Sequence, residues 1–110
     1  MGKNDSLGEF EQIVLLALLR LRATAYGVSI RREIAERTGR DIAIGAVYTT
    51  LDRLERKGFV SSTVGEPTPE RGGRAKRYYK IEAPGQRALH RSRETMNRMW
   101  DGLVPSPSMG

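Results

Sequence analysis

The 110-residue chain contains no cysteine, one histidine and one tryptophan. Without cysteine it can form neither a disulfide framework nor a thiolate nucleophile or metal site, which fits a reducing compartment. The single histidine, His90, lies among arginines on a predicted solvated helix face. The sequence has no histidine–carboxylate–nucleophile set, no metal-ligand spacing and no phosphate-cradling glycine motif. We therefore expect no catalytic residue, no metal and no cofactor, and predict that the protein is not an enzyme.

Long apolar runs are also missing. The longest, residues 13–19, is far too short to cross a bilayer. Residues 1–6 lack the apolar segment that follows a basic start in a signal peptide. The length suits a single small domain. These features predict a cytoplasmic protein with no membrane partner.

Positive charge is what the chain has in excess, with 19 lysines and arginines against 13 acids and a formal net charge of +6. Such a balance favours nucleic acid or another anionic surface as the partner. Residues 71–80 contain five cations and no acid: Arg71, Arg74, Lys76, Arg77 and Lys80. Gly72 and Gly73 would let this segment approach a surface closely, and two tyrosines follow. The segment is typical of a DNA-contacting loop, with a merely solvated hairpin tip as the alternative.

Residues 42–59 are the segment around which the rest of the chain is organised. An apolar stripe at helical spacing predicts an amphipathic helix here, made by Ile44, Val47, Leu51 and Leu54. Gly58 would end the helix by adopting a positive φ. The opposite face is small and then basic, with Gly45, Ala46, Thr49, Arg53 and Arg56. That face is typical of a DNA-recognition helix, whereas an ordinary solvated face is the alternative.

Two further helices are predicted before this segment. The first spans about residues 7–21 and would begin at a capping box formed by Ser6 and Glu9. The second opens at Tyr26 and reaches about residue 37, with Gly39 suited to a C-terminal cap. Two helices joined by a short turn, the second with a small-residue face, indicate a helix-turn-helix.

A β-hairpin is predicted after the recognition helix. Residues 59–64 are rich in β-branched side chains and residues 74–81 contain two tyrosines, so both segments favour strands. Residues 65–73 are a loop by composition. A hairpin that follows a helix-turn-helix predicts a winged helix, in the α+β class but mainly α.

The last predicted helix spans residues 84–103, with Pro84 suited to its first position. This helix has one apolar face, and the first helix is apolar over more than one face. A homodimer interface would bury the excess apolar surface of both helices. The alternative is that this surface packs on the protein's own core. The predicted seam residues are Phe10, Leu18, Leu89, Met96, Met99, Trp100 and Leu103. The predicted organisation is a flexible N-terminus over residues 1–6, a winged-helix DNA-binding domain over 7–83, a dimerisation helix over 84–103 and a disordered tail over 104–110.

Two segments resemble the PadR family of bacterial transcriptional regulators. Residues 45–60 contain the pattern Tyr-x-x-Leu-x-x-Leu-x-x-x-Gly, and residues 72–81 contain Gly-Gly-Arg-x-x-Arg-Tyr-Tyr. Shorter matches lie at residues 16–19 and 26–27, and the resemblance covers residues 7–103. It implies a winged-helix homodimer that represses transcription by binding a palindromic operator. It also implies a small-molecule effector, since family members often sense such molecules.

The resemblance implies a set of DNA contacts as well. The recognition helix would present Gly45, Ala46, Tyr48, Thr49, Thr50 and Arg53, and Tyr48 would contact backbone phosphate. The wing would bring Arg71, Arg74 and Lys76 to phosphate or the minor groove, and Tyr26 would lie near the backbone. Competing with this function is a protein-interaction winged helix without a DNA role. Its recognition face would be apolar or acidic, which the small, basic face does not match.

Two features depart from the family pattern. Ala43 stands where many members have a hydroxyl residue that caps the recognition helix, and the missing cap would cost about 1 kcal/mol. The C-terminal region is also short, with one helix where longer members have a larger dimerisation region.

Overall fold

The structure is a computed structural model that describes residues 6–65 and 75–103. The described chain forms the predicted order of helix-turn-helix, hairpin and terminal helix. The elements are α1 (Glu9–Leu21), a 3₁₀ turn (Arg22–Thr24), α2 (Gly27–Thr38), α3 (Ile44–Arg56), β1 (Val60–Val64), β2 (Arg77–Ile81) and α4 (Ala83–Trp100). The fold is therefore a mainly helical winged helix with a two-stranded antiparallel sheet.

The start of α1 differs from the prediction. The N-cap is Gly8, in extended conformation, and the Glu11 carboxylate accepts a hydrogen bond of 2.9 Å from its backbone N–H. The predicted capping box of Ser6 and Glu9 is therefore wrong by two residues. Glu11 occupies the N3 position, and its carboxylate also contacts Lys57, the C-cap residue of α3, a contact that no local pattern shows.

The core lies around α1, which packs against α2, α3, β2 and, over a smaller area, α4. Its fully or nearly buried apolar side chains come from each of these elements and the segments between them: Val14, Leu15, Ala17, Leu18, Ala25, Ile30, Ile34, Val47, Leu51, Leu54, Phe59, Val60, Tyr79, Ala88 and Leu89. Leu18 is only 3% exposed. It belongs to this core, and for this reason we omit it from the proposed dimer seam.

The turn between α2 and α3 is fixed by backbone groups and one arginine. Gly39 ends α2 at φ 75°, as predicted, and its N–H donates to the Ala35 carbonyl at 2.9 Å. Arg31 of α2 donates from Nε to the Ile42 carbonyl at 2.6 Å, which ties the turn to α2. Ala43 is the N-cap of α3 and provides no side-chain hydrogen bond, as the sequence predicts. Gly58 follows the helix at φ 80°, also as predicted.

The hairpin is attached to the helix-turn-helix at its base. Val60 lies opposite Ile81 and Val64 opposite Arg77 in the antiparallel register. The N–H of Tyr79 donates to the Ala25 carbonyl at 2.9 Å, and Tyr26 forms an isolated bridge with Tyr78. The segment before α2 thereby attaches the second strand of the hairpin to the domain through one isolated bridge.

α4 begins against the hairpin and then leaves the domain. Glu82 is its N-cap and Pro84 occupies the second helical position, one place later than predicted. Gly85, Ala88 and Leu89 are buried, whereas every residue from 93 to 100 is exposed. Within the described residues no helix is long and apolar enough to cross a membrane.

Candidate nucleic-acid interface

The predicted recognition face of α3 is open. Gly45, Ala46 and Thr49 are exposed, while Val47 and Leu51 on the opposite side are fully buried. Ile44 was predicted in the buried stripe but is 38% exposed, because it is the first residue of the helix and lies beyond the edge of the core. The first two turns of α3 therefore present a surface with little side-chain bulk.

Thr50 does not belong to this surface. Its side chain is only 4% exposed. It follows Val47 by three positions and precedes Leu54 by four, which places it on the buried side of the helix. Thr50 was predicted to contact DNA, and we omit it from the proposed contacts for this reason.

Tyr48 lies against the first turn of α2. A Cβ atom placed on Gly27 would be 2.2 Å from Tyr48 Oη and 2.3 Å from its Cζ, so the phenol occupies the space that a side chain would need. The tyrosine is still 41% exposed. α3 and α2 thus meet at a phenol that remains accessible from outside.

Three side chains connect the start of α2 to the wing. The rings of Tyr26 and Tyr78 meet edge to face, with centroids 5.7 Å apart and an interplanar angle of 74°. Lys76 Nζ lies 5.1 Å from the centroid of the Tyr26 ring, within the range of a cation–π contact. We call Tyr26, Tyr78 and Lys76 the wing-base cluster. It places one ammonium group at the junction of helix and wing, beside the phenol-rich edge of the domain.

The C-terminal part of α3 is tied to α1 through a buried acid. Glu11 is 7% exposed, and its carboxylate lies 3.1 Å from Lys57 Nζ and 3.9 Å from a guanidinium nitrogen of Arg53. The side chain of Arg53 remains 48% exposed, so the longer contact leaves it accessible to a partner. Sequence reasoning missed Glu11, although an acid four positions before Leu15 on a buried helix face signals the need for a cationic partner.

Tyr79 has a displaced pKa. Burial raises the pKa of its phenol above the ordinary value of 10.0, and the nearby Arg77 acts in the opposite direction. The phenol therefore stays protonated at neutral pH. Its position in the core at the base of the wing is structural.

The remaining predicted site residues fall into two groups. Arg71 and Arg74 of the wing lie outside the described residues. The predicted seam residues other than Leu18 vary in exposure. Phe10 is half-buried and Leu89 nearly buried, whereas exposed fractions reach 52% for Met96, 70% for Met99, 55% for Trp100 and 73% for Leu103.

Two residues that were not among the predicted seam residues lie beside some of them. Leu16 and Leu19 of α1 are 49% and 40% exposed. Together with Met96 and Trp100 they line an apolar groove of about 710 Å³ between α1 and α4. The signal was present in the sequence, because α1 carries more apolar residues than its own core contacts require.

The fold and this surface define a winged-helix domain with an exposed, small-residue recognition helix next to a basic wing, which is the class of DNA-binding regulators. The model of the transcriptional regulator PadR-like family matches residues 15–91, so the chain belongs to that family. The predicted resemblance is confirmed. The family consists of transcriptional regulators that bind DNA, which also confirms the expectation that the chain is not an enzyme.

Solved structures show the same fold. A PadR family transcriptional regulator from Eggerthella lenta is 26% identical with a TM-score of 0.67, over 86% of this chain and 82% of that one. A PadR family regulator from Clostridium difficile is 20% identical with a TM-score of 0.67, over 87% and 99%. RosR from H. salinarum is 23% identical with a TM-score of 0.68, over 94% and 84%. No curated protein matches the chain.

Proposed function

We propose that this PadR-family protein is a repressor that binds a palindromic operator as a homodimer, with α3 in the major groove and the wing on the adjacent backbone. The observation that carries the proposal is the exposed, small face of α3 next to the wing-base cluster. A helix can approach base edges only where its own side chains leave room, and nearby cations and hydroxyls are needed to hold phosphates.

The contacts divide into two kinds. Gly45, Ala46 and Thr49 are proposed to face base edges, since they are exposed on the first two turns of α3. Tyr48 and Lys76 are proposed to contact phosphate, because both lie where α2, α3 and the wing converge. Tyr26 and Arg53 are proposed to lie along the backbone, with Arg71 and Arg74 of the wing as contacts proposed from the sequence alone.

The homodimer is proposed to form on the apolar side of α1 and α4. Exposed side chains on both helices support this, because Leu16, Leu19 and Trp100 border one continuous groove. A two-fold dimer would present two recognition helices to half-sites about one DNA turn, roughly 34 Å, apart. The predicted small-molecule effector and the cytoplasmic location rest on the family resemblance and the sequence, and stay predictions.

Fluorescence anisotropy with the DNA upstream of the protein's own gene tests this function. We expect the affinity for this duplex to exceed that for a scrambled duplex and to fall steeply with salt, because phosphate contacts release counterions. Lys76→Ala should weaken binding to both duplexes and reduce the salt slope by about 1 per subunit. Thr49→Ala should instead change the preference between operator variants.

A matched control is Arg98→Ala, which removes an exposed cation of α4 that lies outside the proposed interface. It should bind as the parent does. Loss of binding equal to that of Lys76→Ala would mean that only net charge matters. Absence of binding at low salt would reject the DNA-binding function and favour a protein-interaction winged helix.

A further inference from the structure

Gly27 is the first residue of α2, and a side chain at this position would collide with Tyr48. A Cβ atom there would lie 2.2, 2.3 and 2.8 Å from Oη, Cζ and Cε1 of Tyr48, all closer than real Cβ contacts. The glycines of the described residues that have a positive φ are Gly39, Gly58 and Gly102, so Gly27 is not among them. The φ angle at this position is therefore one that L residues adopt. The atoms that a Cβ would meet first belong to the phenol of Tyr48.

We propose that Gly27 is a positioning residue for DNA binding, acting by leaving the space in which the Tyr48 phenol rests. The proposal rests on the proposed function, in which Tyr48 contacts phosphate. With the space open, the ring lies on α2 and its hydroxyl lies at Gly27, the residue that follows Tyr26 of the wing-base cluster. A phenol fixed in this way loses little conformational freedom on binding, which favours affinity.

The other glycine of the recognition region has a different environment. No atom lies within 4 Å of the place where a Cβ of Gly45 would stand. The missing side chain of Gly45 therefore leaves space on the outer surface, where DNA would lie. The missing side chain of Gly27 leaves space on the side that faces the protein. Gly8, the N-cap of α1, has only ordinary contact, with Glu11 Oε1 at 3.9 Å. It provides a glycine at a helix start that supports no aromatic ring.

The consequence of filling the space is specific. Gly27→Ala would push the Tyr48 ring off α2, because the neighbouring atoms belong to a rigid phenol that must move as a whole. Helix propensity favours alanine over glycine, so propensity alone would not cause a loss. We expect Gly27→Ala to weaken operator binding about tenfold, comparable to removal of one charge-assisted hydrogen bond per site. Tyr48→Ala should have a similar effect.

A double-mutant cycle tests the coupling. In the Tyr48→Ala background the space is empty. Adding Gly27→Ala should therefore lower neither the operator affinity nor the melting temperature. Equal, additive losses from the two substitutions would overturn the proposal, because they would show that Gly27 acts independently of the ring. A double variant that melts far below Tyr48→Ala would also overturn it, since the backbone would then be what requires glycine. This comparison remains decisive even where Gly27→Ala alone folds poorly.

A DNA-independent measurement separates this proposal from the proposed function. With ¹³C-labelled tyrosine, the Tyr48 ring resonances, assigned by their loss in Tyr48→Phe, should shift in free Gly27→Ala protein. They should not shift in the matched control Gly8→Ala. Unchanged Tyr48 resonances in Gly27→Ala would overturn the proposal whatever the DNA result. Shifted resonances with parental operator affinity would overturn the role in binding, whereas a parent protein that binds no DNA rejects the proposed function itself.

Discussion

At the scale of single residues, Gly45 and Arg22 stand in opposite relations to their surroundings. Gly45 lies in the first turn of α3 with open space around it and no need for a positive φ. Arg22 follows α1 at φ 54° and ψ −124°, the one non-glycine residue with a positive φ in the described parts of the chain. Gly45 thus lacks a side chain at a position that would tolerate one. Arg22 has a side chain in a backbone conformation that disfavours one.

Gly45→Ala should therefore separate stability from binding. Alanine is the better helix former, and nothing in the protein obstructs its methyl group. We expect the free energy of unfolding to rise by up to about 1 kcal/mol. Operator affinity should nevertheless fall, because the methyl group projects from the face proposed to approach base edges. Thermal melting and anisotropy on one preparation measure both quantities. Parental affinity would place Gly45 away from the DNA.

Arg22→Gly should stabilise the protein. Relief of backbone strain of about 1–3 kcal/mol exceeds the extra entropy that glycine gives the unfolded chain, so we expect a net gain of about 1 kcal/mol. Urea unfolding measures it. Arg22→Ala is the control, because it removes the same side chain but keeps a Cβ in the strained conformation. A gain of the same size in both variants would attribute the effect to the arginine side chain rather than to φ.

At the scale of secondary-structure elements, the position of α4 depends on the absence of a side chain at Gly85. A Cβ there would lie 2.4 Å from the Phe59 carbonyl oxygen and 2.9 Å from Cγ1 of Ile81. The first atom belongs to the backbone of the segment that leads into β1, and the N–H of Glu82 donates to the same carbonyl at 2.8 Å. The start of the helix and the segment that leads into the hairpin are thus in direct backbone contact.

Gly85→Ala should consequently destabilise the domain, in contrast to Gly45→Ala. Overpacking against a fixed carbonyl should cost about 1–3 kcal/mol in the free energy of unfolding, measured in urea. Arg87→Ala, an exposed change two residues later on the same helix, should stay within about 0.5 kcal/mol of the parent. Parental stability of Gly85→Ala would mean that the start of α4 shifts freely.

Much of the element order could be predicted from the sequence, because it depends on local signals. The stripe of α3, the stops at Gly39 and Gly58 and the missing cap at Ala43 all follow from residue type and spacing. Thr50 could have been excluded by the same spacing, since it lies on the buried side of α3. The N-cap at Gly8 was not predicted. The Glu11 carboxylate that accepts a hydrogen bond from its N–H also contacts Lys57, which lies 46 positions further along the chain.

The contacts that form the candidate site could not be predicted from local patterns, because they join residues that are far apart in the chain. The contact between the Tyr48 ring and Gly27 joins residues that are 21 positions apart in the chain. The wing-base cluster joins Tyr26 to residues of the second strand. Sequence reasoning identified most of these residues as candidates, but only their packing shows that they share one edge of the domain.

At the scale of the whole molecule, the ion pairs distribute the excess charge unevenly. Arginines on α1, α2 and the turn that follows are paired with acids: Arg20 and Arg37 with Glu33, Arg31 with Asp41, and Arg40 with Glu9. In the described part of the wing, Lys76 has an aromatic ring and no acid as its neighbour. Lys76 thus keeps its positive charge available to a polyanion. The C-terminal end of α4 and the adjoining face of α1 expose apolar side chains instead.

The last prediction concerns that apolar end. Trp100→Glu replaces the indole by a carboxylate in the groove beside Leu16, Leu19 and Met96, where a second copy would have to bury a charge in place of an apolar ring. We expect sedimentation equilibrium to show a shift from dimer to monomer. Binding to the full operator should weaken strongly, whereas binding to a duplex with one half-site should change little, because α3 and the wing are unaltered. Ala35→Glu, on the exposed side of α2, is the matched control for added negative charge and should remain dimeric. A dimeric Trp100→Glu protein would show that the subunits meet elsewhere, and an equal loss on both duplexes would show that the substitution acts on the DNA-binding surface rather than on the pairing of its two copies.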